Sequence, residues 1–182
     1  MDKHVFGIYK IPLLVSVTLA IVLIALGTIR APFEIATILV ATFFGTFVLD
    51  LEYFLDAFFL DPKKDFSKTL VGFLKHSDLA SALKHVYYHK DEFKDCALNS
   101  ALFQVILAFL SLLVIFATRS LFGQALVLSI FANSIYVLFE HLFNNRTDDW
   151  FWILKNKPTR QQVYIYVFAM LIMFTFSLYL FS

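Results

Sequence analysis

The stretch VLDLEYFLDAFFLDP, residues 48–62, carries the acids best placed to do chemistry. Asp50 follows fifteen residues that carry no charge, and Glu52 stands two positions further on. Residues two apart on a regular helix point about 200° away from each other, so these carboxylates converge on a cation only if the helix ends or unwinds near Asp50. Oxygen ligands of this kind suit Mg, Mn or Ca better than Zn. Asp50 and Glu52 are therefore candidate ligands of a divalent metal, the one cofactor this reading implies, and His141 is a candidate third. Neighbours such as Glu140 and His141 point about 100° apart, so only one of them faces a shared site. The same acids have a plainer reading, as headgroup-level residues at the end of an apolar run. Asp56, one turn past Glu52 on the same face, fits it best. The two carboxylates repel, and a lysine of the following loop would relieve them.

His85 and His89 have the i, i+4 spacing of a helical zinc pair. Val86 rather than a glutamate follows His85, and the pair reads better as part of an amphipathic surface. There is no Gly-rich phosphate loop, no dinucleotide fingerprint, no G-x-S-x-G and no H-E-x-x-H. Cys96 is the only cysteine, so neither an intrachain disulfide nor a Cys-rich metal site can form. Nothing favours nucleic acid: net charge is +1.

The elements that must position these residues are apolar runs. Of 182 residues, 60% are hydrophobic and only 16% charged, against about 45–50% and roughly 25% in soluble domains. A spanning helix takes about 20 apolar residues, and five runs meet or approach that length: about 11–29, 35–60, 97–117, 121–143 and 163–181. The links 27–34 and 118–120 are short, so the first two spans and the next pair form antiparallel hairpins. The first run could be a signal peptide, with Ala25 and Gly27 near a cleavage site. Its length and the span that follows at once favour an uncleaved helix. The fold class expected is all-α: a single polytopic membrane domain over residues 1–182, with five transmembrane helices.

Lysine and arginine orient it. With the N-terminus in the cytoplasm, thirteen of the fifteen fall inside, including Lys3, Lys10 and seven lysines from Lys63 to Lys94, while Arg30 and Arg119 fall outside. The C-terminus is then external, in an inner, multi-pass cell membrane. Trp150 and Trp152 suit an aromatic belt on the cytoplasmic side. The loop 61–96 reads as two amphipathic helices. Phe66, Leu70, Val71, Phe73 and Leu74 line one. The other starts at the cap Ser77-Asp78 and carries Leu79, Leu83, Val86 and Phe93. This loop could meet anionic lipid or a cytoplasmic protein.

Orientation gives the polar residues a depth. Asn99, Ser100 and Gln104 open the third span, Asn133 and Ser134 lie within the fourth, and Glu140 and His141 close it. Polar groups avoid lipid, so Asn99, Ser100, Gln104, Asn133 and Glu140 are expected to line one polar cavity open to the cytoplasm. The two asparagines could equally hydrogen-bond between helices for packing.

Residues from about 46 to 152 resemble small bacterial polytopic proteins catalogued as membrane-bound metal-dependent hydrolases. VLDLEYF is similar to the family's acidic element, with Asp50 and Glu52 where the family has two aspartates. ALNSALFQ is similar to its second element, with Asn99 where a histidine is expected and Lys94-Asp95 where His-Arg is expected. LFGQALVLSIFANSIYV is similar to its later span, with Asn133 at the histidine position. The resemblance implies a polytopic helical fold and a metal that activates water against a lipid or lipid-linked phosphoester or amide. The asparagines that replace histidines point to a member that has lost the metal. The function expected is thus a degenerate, non-catalytic protein of hydrolase-like fold with a structural, lipid-binding or partner-binding role, and the alternative is the hydrolase itself.

Overall fold

The computed structural model describes residues 7–90, 93 and 96–182. Lys3, His4, Lys94 and Asp95 lie outside them. Among the described residues all regular structure is helical, in nine α-helices and one short π-helical segment. These are α1 (Lys10–Leu26), α2 (Pro32–Phe47), α3 (Leu51–Leu55), the π-helical turn Asp56–Leu60, α4 (Asp65–Lys75), α5 (Leu79–His89), α6 (Ala101–Ala117), α7 (Leu121–Phe143), α8 (Thr147–Trp150) and α9 (Arg160–Phe181). Two of them, α7 and α9, are long and apolar enough to cross a membrane; a third span results if α2 and the broken stretch 51–60 count as one. α1 and α6 are apolar but shorter, at 17 residues each.

The helix ends follow from local chemistry. Pro32 sits in the first turn of α2, where its missing N–H is no loss. Ser100 and Ser120 cap α6 and α7 by accepting from Phe103 N and Gly123 N. Thr159 and Gln162 form a reciprocal capping box at α9. Asp78 caps α5 by accepting from Ser81 N, as the Ser77-Asp78 signal predicts. That bond holds the Asp78 carboxyl below its ordinary pKa. α1, α4 and α7 stop the same way, at Thr28, Ser77 and Asn145, with φ of 48°, 57° and 54°. In each case the next N–H returns to the carbonyl five residues back: Ile29 to Ile24, Asp78 to Phe73, Arg146 to His141. This closure is ordinarily made with glycine.

The described chain falls into two compact units, which divide at Ile11/Pro12, at Leu49/Asp50 and at Lys94/Asp95. One takes the described residues within Met1–Ile11 and Asp50–Lys94. The other takes Pro12–Leu49 and those within Asp95–Ser182. In the second unit α7 is the core helix and α9 is peripheral: most of the apolar length of α7 is buried, while most of that of α9 is not. α1, α2 and α7 meet through Leu19, Leu23, Ile38, Ala41, Ala125 and Leu128. α6, α7 and α9 meet through Leu107, Phe131, Ile135 and Met170. α9 turns Tyr164, Phe168, Ile172, Phe176 and Tyr179 outward.

Several expectations change in detail. The second span does not continue as one helix toward Leu60, because Val48–Asp50 form a turn. Trp150 does not face outward as a belt residue would. It is fully buried beside Leu138, Phe151 and Val163. Trp152 donates its Nε1–H to the Cys96 carbonyl at 2.8 Å. In α5 the inward residues are Ala82 and Val86, while Leu79 is exposed.

Candidate functional site

In the first unit, the break before α3 supplies the condition that Asp50 and Glu52 need in order to act together. Asp50 is nevertheless engaged. It accepts the Tyr9 hydroxyl at 2.8 Å. Burial, and then the Asp50 carboxylate, push the Tyr9 pKa well above the ordinary tyrosine value, so Tyr9 remains a donor. Asp56 lies 3.9 Å from Lys64 Nζ, the loop lysine expected to relieve its repulsion with Glu52. Lys64 also pairs with Asp61 at 3.1 Å.

His85 and His89 belong to an aromatic cluster, with ring centroids 4.2 Å apart. His85 stacks on Phe66 at 4.7 Å, and its Nε2 meets the Phe66 carbonyl at 3.2 Å. His89 Nδ1 meets the His85 carbonyl at 2.8 Å. Phe93 meets Phe66 and Tyr53 edge-on at 4.9 and 5.3 Å. The i, i+4 pair thus joins α5 to α4.

In the second unit the buried polar residues form separate networks. One joins three helices. Ser16 of α1 lies 2.7 Å from Thr46 Oγ1 of α2 and 3.2 Å from Ser129 Oγ of α7. Asn133 Nδ2 donates to Ser16 Oγ and to the Ser129 carbonyl, both at 2.9 Å. Ser129 Oγ donates to the Thr42 carbonyl at 2.8 Å. Small residues make this approach possible: a Cβ added at Gly45 would lie 2.5 Å from Ser129 Cβ.

The other networks join α6 to α9. Tyr166 OH donates to Gln104 Oε1 at 2.7 Å and faces the Ala101 carbonyl at 3.1 Å, while Ser111 and Ser177 hydroxyls meet at 2.9 Å. Asn99 Nδ2 donates to the Leu49 carbonyl at 3.3 Å, and Ser100 serves as the α6 cap. Glu140 and His141 are half-buried. His141 Nδ1 meets the Val137 carbonyl at 3.0 Å, and its ring lies 5.3 Å from Trp150.

Sequence reading picked out Asn99, Ser100, Gln104 and Asn133, and all four are buried. It did not pick out Tyr9, Ser16, Thr42, Thr46, Ser129 or Tyr166, which bond to Asp50, Asn133 and Gln104 or complete their networks. A signal for three of them was present: Thr42 and Thr46 adjoin the Ala41-x-x-x-Gly45 stripe, and Ser129 falls in a repeat of every fourth residue with Ala125 and Asn133.

Among the described residues, no three His, Cys, Asp or Glu side chains gather where they could hold a metal ion. Among the same residues, the buried side-chain atoms left without hydrogen bonds are Gln104 Nε2, Trp150 Nε1, Asn133 Oδ1, Ser134 Oγ and one Asp56 oxygen. Two of these are donors, and the amide and hydroxyl oxygens carry no charge. This set does not fit a divalent metal, and no catalytic step follows from it. What the arrangement does is tie helices together through neutral hydrogen bonds. No family model, no curated protein and no solved structure matches the chain.

Proposed function

We propose that this chain is an integral membrane protein whose buried polar residues join its helices, and that its role is structural or binding rather than catalytic. The observation that carries the reading is the Ser16–Thr46–Ser129–Asn133 network, made by short neutral side chains across three helices. Such bonds with small-residue contacts are what hold helices together in lipid, where apolar burial drives little association.

The proposed arrangement has five spans: α1, α2 with the stretch to Leu60, α6, α7 and α9. Seventeen residues make about 25 Å of helix, short of a hydrocarbon core of about 30 Å. Local thinning of the bilayer and snorkelling of flanking residues accommodate that difference at small cost. The lysine and arginine distribution puts the N-terminus and the loop 61–96 in the cytoplasm, and the C-terminus outside an inner membrane. The likeness to membrane-bound metal-dependent hydrolases then extends to the frame and not to the chemistry.

The hydrolase reading keeps one supporting feature, the turn at Val48–Asp50. Metal content separates the two readings. Mass spectrometry of the detergent-purified protein, after incubation with Zn, Mn and Mg, is expected to find no stoichiometric metal. Near-stoichiometric metal, lost in Asp50→Asn/Glu52→Gln with the fold intact, would establish the hydrolase reading instead.

A further inference from the structure

The first unit carries an exposed surface that takes no part in helix packing. The π-helical turn Asp56–Leu60 ends on three exposed apolar side chains, Phe58, Phe59 and Leu60, at 47%, 78% and 75% exposure. Beside them is a cavity of about 390 Å³ whose walls include Ala57, Phe58, Val71 and Gly72, and whose polar lining is the two lysines Lys68 and Lys75. No acid lines it. Lys68 pairs with Asp65 at 3.0 Å, but both side chains are largely exposed, and such pairs contribute little against a competing anion. Gly72 leaves the floor open, since a Cβ there would meet nothing within 4 Å.

We propose that this cavity seats an anionic phospholipid, with Lys68 and Lys75 on the phosphate and the acyl chain along Phe58 and Val71, while Phe59 and Leu60 enter the leaflet. The chemistry selects this occupant. A soluble anion gains nothing from apolar walls, and a zwitterionic lipid gains little from two ammonium groups without a matching acid. Lysines near an anionic leaflet each favour binding, and aromatic and aliphatic side chains beside them anchor at the headgroup level. The inference deepens the membrane reading and rests on it.

The test uses the full chain, purified in detergent and exchanged into mixed phosphatidylglycerol and phosphatidylcholine, with retained lipid counted by native mass spectrometry. Phosphatidylglycerol should be retained about thirty-fold over phosphatidylcholine, the factor expected from two lysines near an anionic surface. Lys68→Gln/Lys75→Gln should bring the ratio near parity, and Lys68→Arg/Lys75→Arg should keep the preference. Gly72→Leu projects a side chain into the cavity from a position where its Cβ meets nothing within 4 Å, and should also abolish it. Equal retention of the two lipids, or a preference that survives in the Gln and Leu variants, overturns the proposal. So does displacement by millimolar inorganic phosphate, which would mark a free-anion site. A chain that needs detergent but shows no preference sinks the lipid seat alone; a chain that stays dispersed without detergent sinks the membrane reading as well.

Discussion

Gly45 shows most sharply what the polar residues are for. Its missing side chain lets α2 approach α7 until Thr42 O and Ser129 Oγ bond at 2.8 Å. Gly45→Ala places a Cβ against Ser129 Cβ, and this overpacking is expected to cost about 1–3 kcal/mol of stability. Adding Ser129→Gly removes the opposing Cβ and should recover part of the loss, measured by reversible unfolding in detergent micelles. No effect of Gly45→Ala would mean that the two helices are not packed this closely. At this scale the sequence was partly legible. Asn99, Gln104 and Asn133 stand out because amides are rare in apolar runs. Ser16 does not, and Ser129 and Thr46 show only as members of small-residue stripes, because small hydroxyl residues are tolerated at any depth of a span and only a partner makes them specific. Asp50 was legible as unusual, but its partner Tyr9 is 41 residues away and left no local signal.

The helices were legible where hydropathy is long and unbroken. The fourth apolar run, 121–143, coincides with α7, and the third and fifth differ from α6 and α9 only at their starts. The stretch 48–60 was not. Its apolar residues continue the period of α2, yet the chain turns at 48–50 and then forms α3 and a π-helical turn. Hydropathy reports burial and not backbone continuity, so a break with no Pro or Gly is invisible to it. The helix stops at Thr28 and Ser77 were equally hidden, since a left-handed residue is signalled by glycine and neither is glycine. A β-branched residue at φ 48° is strained. Thr28→Gly should therefore stabilise the α1–α2 link by about 1 kcal/mol, read as a higher unfolding midpoint. A lower midpoint would show that the Thr28 side chain holds the turn in some other way.

Among the described residues the chain is helical, with apolar outward faces and, in the second unit, neutral polar contacts inside. Composition made that class plain from the start. It did not make plain that the described residues form two units, because the dividing positions at Ile11/Pro12, Leu49/Asp50 and Lys94/Asp95 carry no linker composition. Nor could it decide between a cavity and packing for the buried amides, since both need polar residues at the same depth and only bonding partners separate them. Ser16 and Asn133, 117 positions apart, carry that distinction. A double-mutant cycle of Ser16→Ala and Asn133→Leu, followed by reversible unfolding of the purified protein in detergent, tests it most directly. Each exchange is expected to destabilise the protein, and the two to be coupled by about 0.6–1.7 kcal/mol. Zero coupling, or an Asn133→Leu protein more stable than the parent, would contradict it, and would mark Asn133 as a residue kept for binding or chemistry at the expense of stability.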